Sequence, residues 1–164
     1  MKYVHDLEWN SRGENIKDEE KETEVPCPSG YSLEVYIEGH PSNAEFGPEK
    51  LLIPLVRKGD VYTGSSQAEI KFAMDLGSCG MEGIYPESYD VTAQPDEFGV
   101  LQFTVHIRME GAHGSNSCPG PGSWSVPAGP EFTQKFPLEA DGSSYSTTEG
   151  YETWTYTLRE QKKP

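Results

Sequence analysis

The chain has 164 residues, the size of one ordinary domain and long enough to bury roughly 70% of the surface its unfolded form exposes. Lys+Arg 13 against Asp+Glu 27 give a formal charge of -14. Nonspecific nucleic-acid binding needs cations to displace counterions, so this field excludes it, and it disfavours anionic membranes as well. The longest apolar stretch, Leu51 to Val56, is strand-sized and far from the ~20 residues that span a bilayer, so a soluble chain is expected.

In chain order, Tyr3, His5, Leu7 and Trp9 alternate with polar neighbours and read as a short strand. Residues 10–24 follow with one large apolar side chain, Ile16, among acids and bases. No face of such a segment buries enough to order itself, so 1–24 is expected to be a short strand plus an acidic flexible linker. No apolar segment of a secretory signal opens the sequence. A cytoplasmic chain is expected if Met1 is the native start, and a secreted one if a signal peptide has been removed.

From Tyr31 the alternation is cleaner. Tyr31, Leu33, Val35 and Ile37 share one face opposite Ser32, Glu34, Tyr36 and Glu38, as on a strand with one buried side. The run Leu51 to Arg57, the turn Lys58-Gly59-Asp60 and then Val61-Tyr62-Thr63 predict a hairpin. Pro54 cannot donate to a ladder, which places that strand at a sheet edge or a bulge. Ile70, Phe72, Met74 and Leu76 predict a further strand, and Tyr85, Tyr89 and Val91 lead into a turn at 94–99. The strongest alternation follows, with Leu101, Phe103, Val105, Ile107 and Met109 opposite Gln102, Thr104, His106 and Arg108. These three strands are expected to form an antiparallel meander.

Residues 110–131 hold many of the chain's 17 Gly and 13 Pro and read as a long loop, a feature that in a compact domain is functional or disordered. Phe132, Gln134, Phe136 and Leu138 predict a strand, residues 140–144 a loop, and Trp154, Tyr156 and Leu158 a last strand. Residues 25–164 are therefore expected to form one all-β domain. Its expected fold is an antiparallel β-sandwich of seven to nine short strands, immunoglobulin-like or jelly-roll-like, with an open β-barrel as the alternative.

Three cysteines, Cys27, Cys79 and Cys118, allow unpaired thiols, one disulfide, or a zinc site, the last lacking any Cys-x-x-Cys pair to anchor it. The meander brings Cys79 and the loop carrying His113 and Cys118 to one end. Cys79 and Cys118 are thus the pair that a disulfide would join. The functional alternative is a metal or nucleophile site using Cys79, His113 and Cys118, with His106 or Asp75.

No nucleophile elbow, His-Glu-x-x-His, P-loop or dinucleotide glycine motif occurs. Gly120-Pro121-Gly122 is loop punctuation, and Asp141-Gly142-Ser143 lacks the spaced oxygens of a calcium loop. No catalytic residue, metal or cofactor is therefore assigned. Tyr36, Trp124, Tyr145 and Tyr151 fall in expected loops or wet faces, where rings stack on sugars or anchor protein partners. The expected function is a non-enzymatic binding or structural module that presents loops to a protein partner, a basic one given the charge, through His113, Trp124, Tyr145 and Tyr151. A carbohydrate-binding domain using exposed aromatics, and a hydrolase or metalloenzyme around Cys79, His113 and Cys118, are the alternatives.

Overall fold

Side chains that alternate between apolar and polar can bury one face of an extended chain, and here that pattern yields ten antiparallel strands and no helix among the described residues. The computed structural model describes residues 27–39, 44–120, 122–139 and 141–160. The expected strand at 3–9 and the linker at 10–24 lie outside them. The strands are β1 (Cys27–Gly39), β2 (Ala44–Lys58), β3 (Val61–Asp75), β4 (Gly80–Pro95), β5 (Leu101–Met109), β6 (His113–Asn116), β7 (Ser123–Ser125), β8 (Glu131–Leu138), β9 (Ser144–Glu149) and β10 (Glu152–Glu160). No helix of the described residues is long and apolar enough to cross a membrane.

All ten belong to one open antiparallel sheet. Its spatial order runs β9-β10-β1-β2-β3-β4, and β4 then pairs with both β5 and β6, β5 with β8, and β6 with β7. The sheet curls until β4 and β10 face each other across the interior, where Trp154 Nε1 donates to the Tyr89 hydroxyl at 3.1 Å. One continuous sheet thus supplies both layers that the alternation requires. Leu33, Val35, Ile53, Ile70, Val91, Phe103, Val105, Ile107 and Leu158 fill the space between them, each fully or almost fully buried.

Between β8 and β9 no ladder forms. The seam is bridged by rings instead: Phe136 of β8 stacks on Tyr145 of β9 at 4.8 Å, on Tyr156 of β10 at 4.5 Å and on Phe103 of β5 at 5.6 Å between centroids. On the outer face Glu34 of β1 meets Lys50 of β2 at 3.1 Å and Arg159 of β10 at 3.3 Å, a cross-strand charge cluster over that part of the sheet.

The β2–β3 hairpin turns at Gly59-Asp60, with Gly59 at φ 60, the left-handed conformation that the first residue of so tight a turn requires. The meander of β3, β4 and β5 forms as the alternation predicts. Several expectations are corrected. Pro54 is not at a sheet edge, because β2 lies between β1 and β3. Its pairing with β3 is instead interrupted between Phe46 and Val56, so no ladder on that side needs the proton that proline lacks. Leu76 does not continue the buried face; it follows β3 and is 47% exposed. The strands are more numerous than seven to nine, and β3 and β4 run for 15 and 16 residues.

The stretch 110–131 is not a structureless loop. β6 continues β5 along the same edge of β4 after a break at 110–112, and β7 and β8 are one strand interrupted at 126–130. The breaks are themselves bonded, Val126 N to Ala112 O at 2.8 Å, Gly129 N to Met109 O at 2.9 Å and Glu110 N to Pro86 O at 2.9 Å. Two long hairpins, β3–β4 and β5/β6–β7/β8, therefore run side by side beyond the barrel-like body. Their tips are joined by a disulfide between Cys79 and Cys118, Cα atoms 4.9 Å apart.

Closing a ring over a sequence separation of 39 stabilises by about 2 to 4 kcal/mol on the chain-entropy account. Replacing both cysteines by alanine is expected to lower the unfolding free energy by that order, measured in urea. An unchanged midpoint and slope would show that the tips are held by the hairpins alone.

Candidate ligand-binding cavity

The overhang covers a cavity of about 490 Å³ at one end of the curled sheet, inside the range that encloses small molecules. Trp124 of β7 forms part of its roof. The indole can lie flat there because Gly83 of β4 and Gly114 of β6 are opposite each other in register. A Cβ on either would come within 2.4 to 2.7 Å of the indole carbons. Its ring packs on Phe72 at 5.4 Å and its Nε1 donates to Ser115 O at 3.2 Å. Phe72 in turn packs on Tyr85 at 6.0 Å, so a line of rings leads from the overhang to the floor. Met81, Met109, Val126 and Phe132 add aliphatic and aromatic wall, and the β9–β10 turn, Gly150-Tyr151, closes the rim.

At the floor is Glu152, 7% exposed, whose Oε1 accepts from the Tyr85 hydroxyl. Behind it, wholly buried, lies Glu87. Glu87 Oε2 accepts from the Tyr89 hydroxyl, which also receives Trp154 Nε1; Glu87 Oε1 has no donor. Burial, then the charge of Glu152 and a hydrogen bond with it, push the Glu87 carboxyl up to about 8, against weaker opposing bonds from Tyr89 and Trp154. Two buried carboxylates side by side cannot both ionise cheaply. Glu87 therefore keeps its proton at neutral pH. Burial raises the Tyr85, Tyr89 and Tyr156 phenols far above their ordinary value, so all three stay protonated donors. Neither Glu87 nor Glu152 has a cationic partner among the described residues.

The residues singled out in the sequence are dispersed. Trp124 and Tyr151 both line this cavity, Tyr151 at its mouth and 70% exposed. His113 is exposed on β6 and borders a separate shallow groove with Lys71 and Glu82. Tyr145 lies on a strand, β9, rather than in a loop, and its ring belongs to the β8–β9 seam. Cys79 and Cys118 share their sulfurs with each other, so neither supplies a thiolate while that bond is intact. His106 is on the outer face of β5 with Thr133 at 3.1 Å and Glu131 at 3.4 Å. Asp75 caps the next turn through the Gly77 amide at 2.9 Å. Among the described residues no three metal-ligating side chains group together.

Comparison of the chain with protein-family models, with curated proteins and with solved structures gives no match in any of the three.

The residues that reading by motif missed are Tyr85, Glu87 and Glu152. Their signal is one of phase. Glu87 alternates in step with Tyr85, Tyr89, Val91 and Ala93, and Glu152 with Trp154, Tyr156 and Leu158. An acid on the apolar parity of a strand must be buried, and a buried acid needs a reason.

Proposed function

We propose that this chain is a non-enzymatic binding module that takes up a small, largely apolar molecule in the cavity beneath the β6–β7 overhang. The observation that carries the reading is the cavity itself, with hydrocarbon walls and a single nearly buried carboxylate at its floor. Convergence of an apolar cavity with a buried ionisable group of perturbed pKa is the usual physical mark of a ligand site. Retaining two buried carboxyl groups costs stability, and a polar anchor for a bound molecule supplies a use for them. On this reading the glycine-rich stretch around Trp124 serves recognition by roofing a pocket rather than by offering a loop to a protein surface.

The test uses N-phenyl-1-naphthylamine, an uncharged dye whose fluorescence rises in apolar surroundings. Saturable binding of one dye per chain is expected. Val126→Trp, at a half-exposed wall position, fills the space without touching the core and is expected to weaken binding at least tenfold. Fluorescence that never saturates, or that is indifferent to the tryptophan, would refute the reading.

A further inference from the structure

We propose that the molecule held in this cavity is an amine, with its apolar body against the rings and its ammonium group on Glu152. The inference rests on the cavity reading above and adds to it the sign of the ligand's charge. Among the residues that border the cavity none is Lys, Arg or His, and Glu152 supplies the carboxylate at its floor. An anionic ligand would meet the like charge of Glu152. A neutral one would cover Glu152 and leave its carboxylate with the Tyr85 hydroxyl but no cation. An ammonium group adds a charge-assisted hydrogen bond.

The walls point the same way. Phe72, Tyr85, Trp124 and Tyr151 surround the space above Glu152, and the negative faces of such rings attract a cation wherever it is desolvated. A bare metal ion is a poor fit, since it needs several oxygen, nitrogen or sulfur ligands at once and the lining is mostly hydrocarbon. A sugar is poor for the converse reason, because its hydroxyls would lack partners along those walls. The formal charge of -14 steers cations towards the molecule as a whole.

Three probes with one naphthalene body separate charge from shape: 1-(aminomethyl)naphthalene, 1-naphthalenemethanol and 1-naphthoic acid, titrated calorimetrically at pH 7 into the full chain. The amine is expected to bind at least tenfold more tightly than the alcohol, and the acid more weakly than either. Glu152→Gln, which keeps an oxygen to accept from Tyr85, is expected to bring amine and alcohol within twofold. The comparison within the wild-type chain needs no variant and decides the matter even if the substitution impairs folding. An amine no tighter than the alcohol, or a preference that survives Glu152→Gln, overturns the inference while the cavity reading stands on the dye. Failure of the dye to bind the wild type overturns both.

Discussion

Phe136→Ala is expected to lower the unfolding free energy by about 3 to 5 kcal/mol, the cost of deleting a buried ring whose site collapses only partly, and to lower Tm by roughly 10 °C for a chain of this size. Phe136 is 3% exposed and stacks on rings from three other strands, β5, β9 and β10. Each such pair adds about 0.5 to 1.5 kcal/mol beyond the area it buries. The position is also structural in a second way: β8 and β9 share no ladder, so ring contact is what spans the seam there. Phe98→Ala is the control, since that ring is 83% exposed in the turn between β4 and β5. It should change stability by no more than about 0.5 kcal/mol. Equal losses in the two variants, measured by urea unfolding, would mean that the seam is not closed as described.

The second large effect concerns pH. In the unfolded chain the Glu87 carboxyl loses its proton near 4.5, and in the folded chain only near about 8. Below the lower value both states are protonated and nothing is lost. Between the two, folding demands a proton that the unfolded chain has given up, so stability falls as pH rises, and above the higher value the deficit is constant. Its full size is of order 3 to 5 kcal/mol. Glu87→Gln carries a neutral group at every pH, with an oxygen to accept from Tyr89 and an amide to donate towards Glu152. The variant should therefore match the wild type near pH 4 and exceed its stability at pH 9. Repulsion among the many surface acids also grows with pH, but it is common to both proteins and cancels in the difference. Parallel stability curves from pH 4 to 9 would show that Glu87 does not keep its proton in the folded chain.

Much of the sheet was legible because its strands advertise a period of two. The face of β5 follows directly from Leu101, Phe103, Val105 and Ile107, all of them buried. β9 was not legible: Ser144, Tyr145, Ser146, Thr147 and Thr148 offer no apolar parity, and the strand exists because β10 provides a ladder for it. β6 and β7 were hidden for a related reason. Their glycines, prolines and serines signal turns locally, yet extended pairing is imposed by β4, by the packing of Trp124 over Gly83 and Gly114, and by the disulfide. The cavity could not be read from motifs because its parts come from five regions distant in sequence. Its floor could have been, since Glu87 and Glu152 stand on the wrong side of their own alternation.

The ladder between β1 and β10 pairs Tyr31–Gly39 with Glu152–Glu160, and so ties together the two ends of the described chain. The other ladders join strands that follow one another, or the two arms of a hairpin. Synthesis from the amino end therefore completes β1 through β8 while the outer edge of β1 still offers unpaired amides and carbonyls. That edge waits for the last ten or so described residues to emerge from the ribosome. A nascent or truncated chain ending before Glu152 presents it to any other strand in reach, including the same edge of a second copy. Pairing with β10 covers that edge, a consequence of the strand separate from its place at the cavity floor.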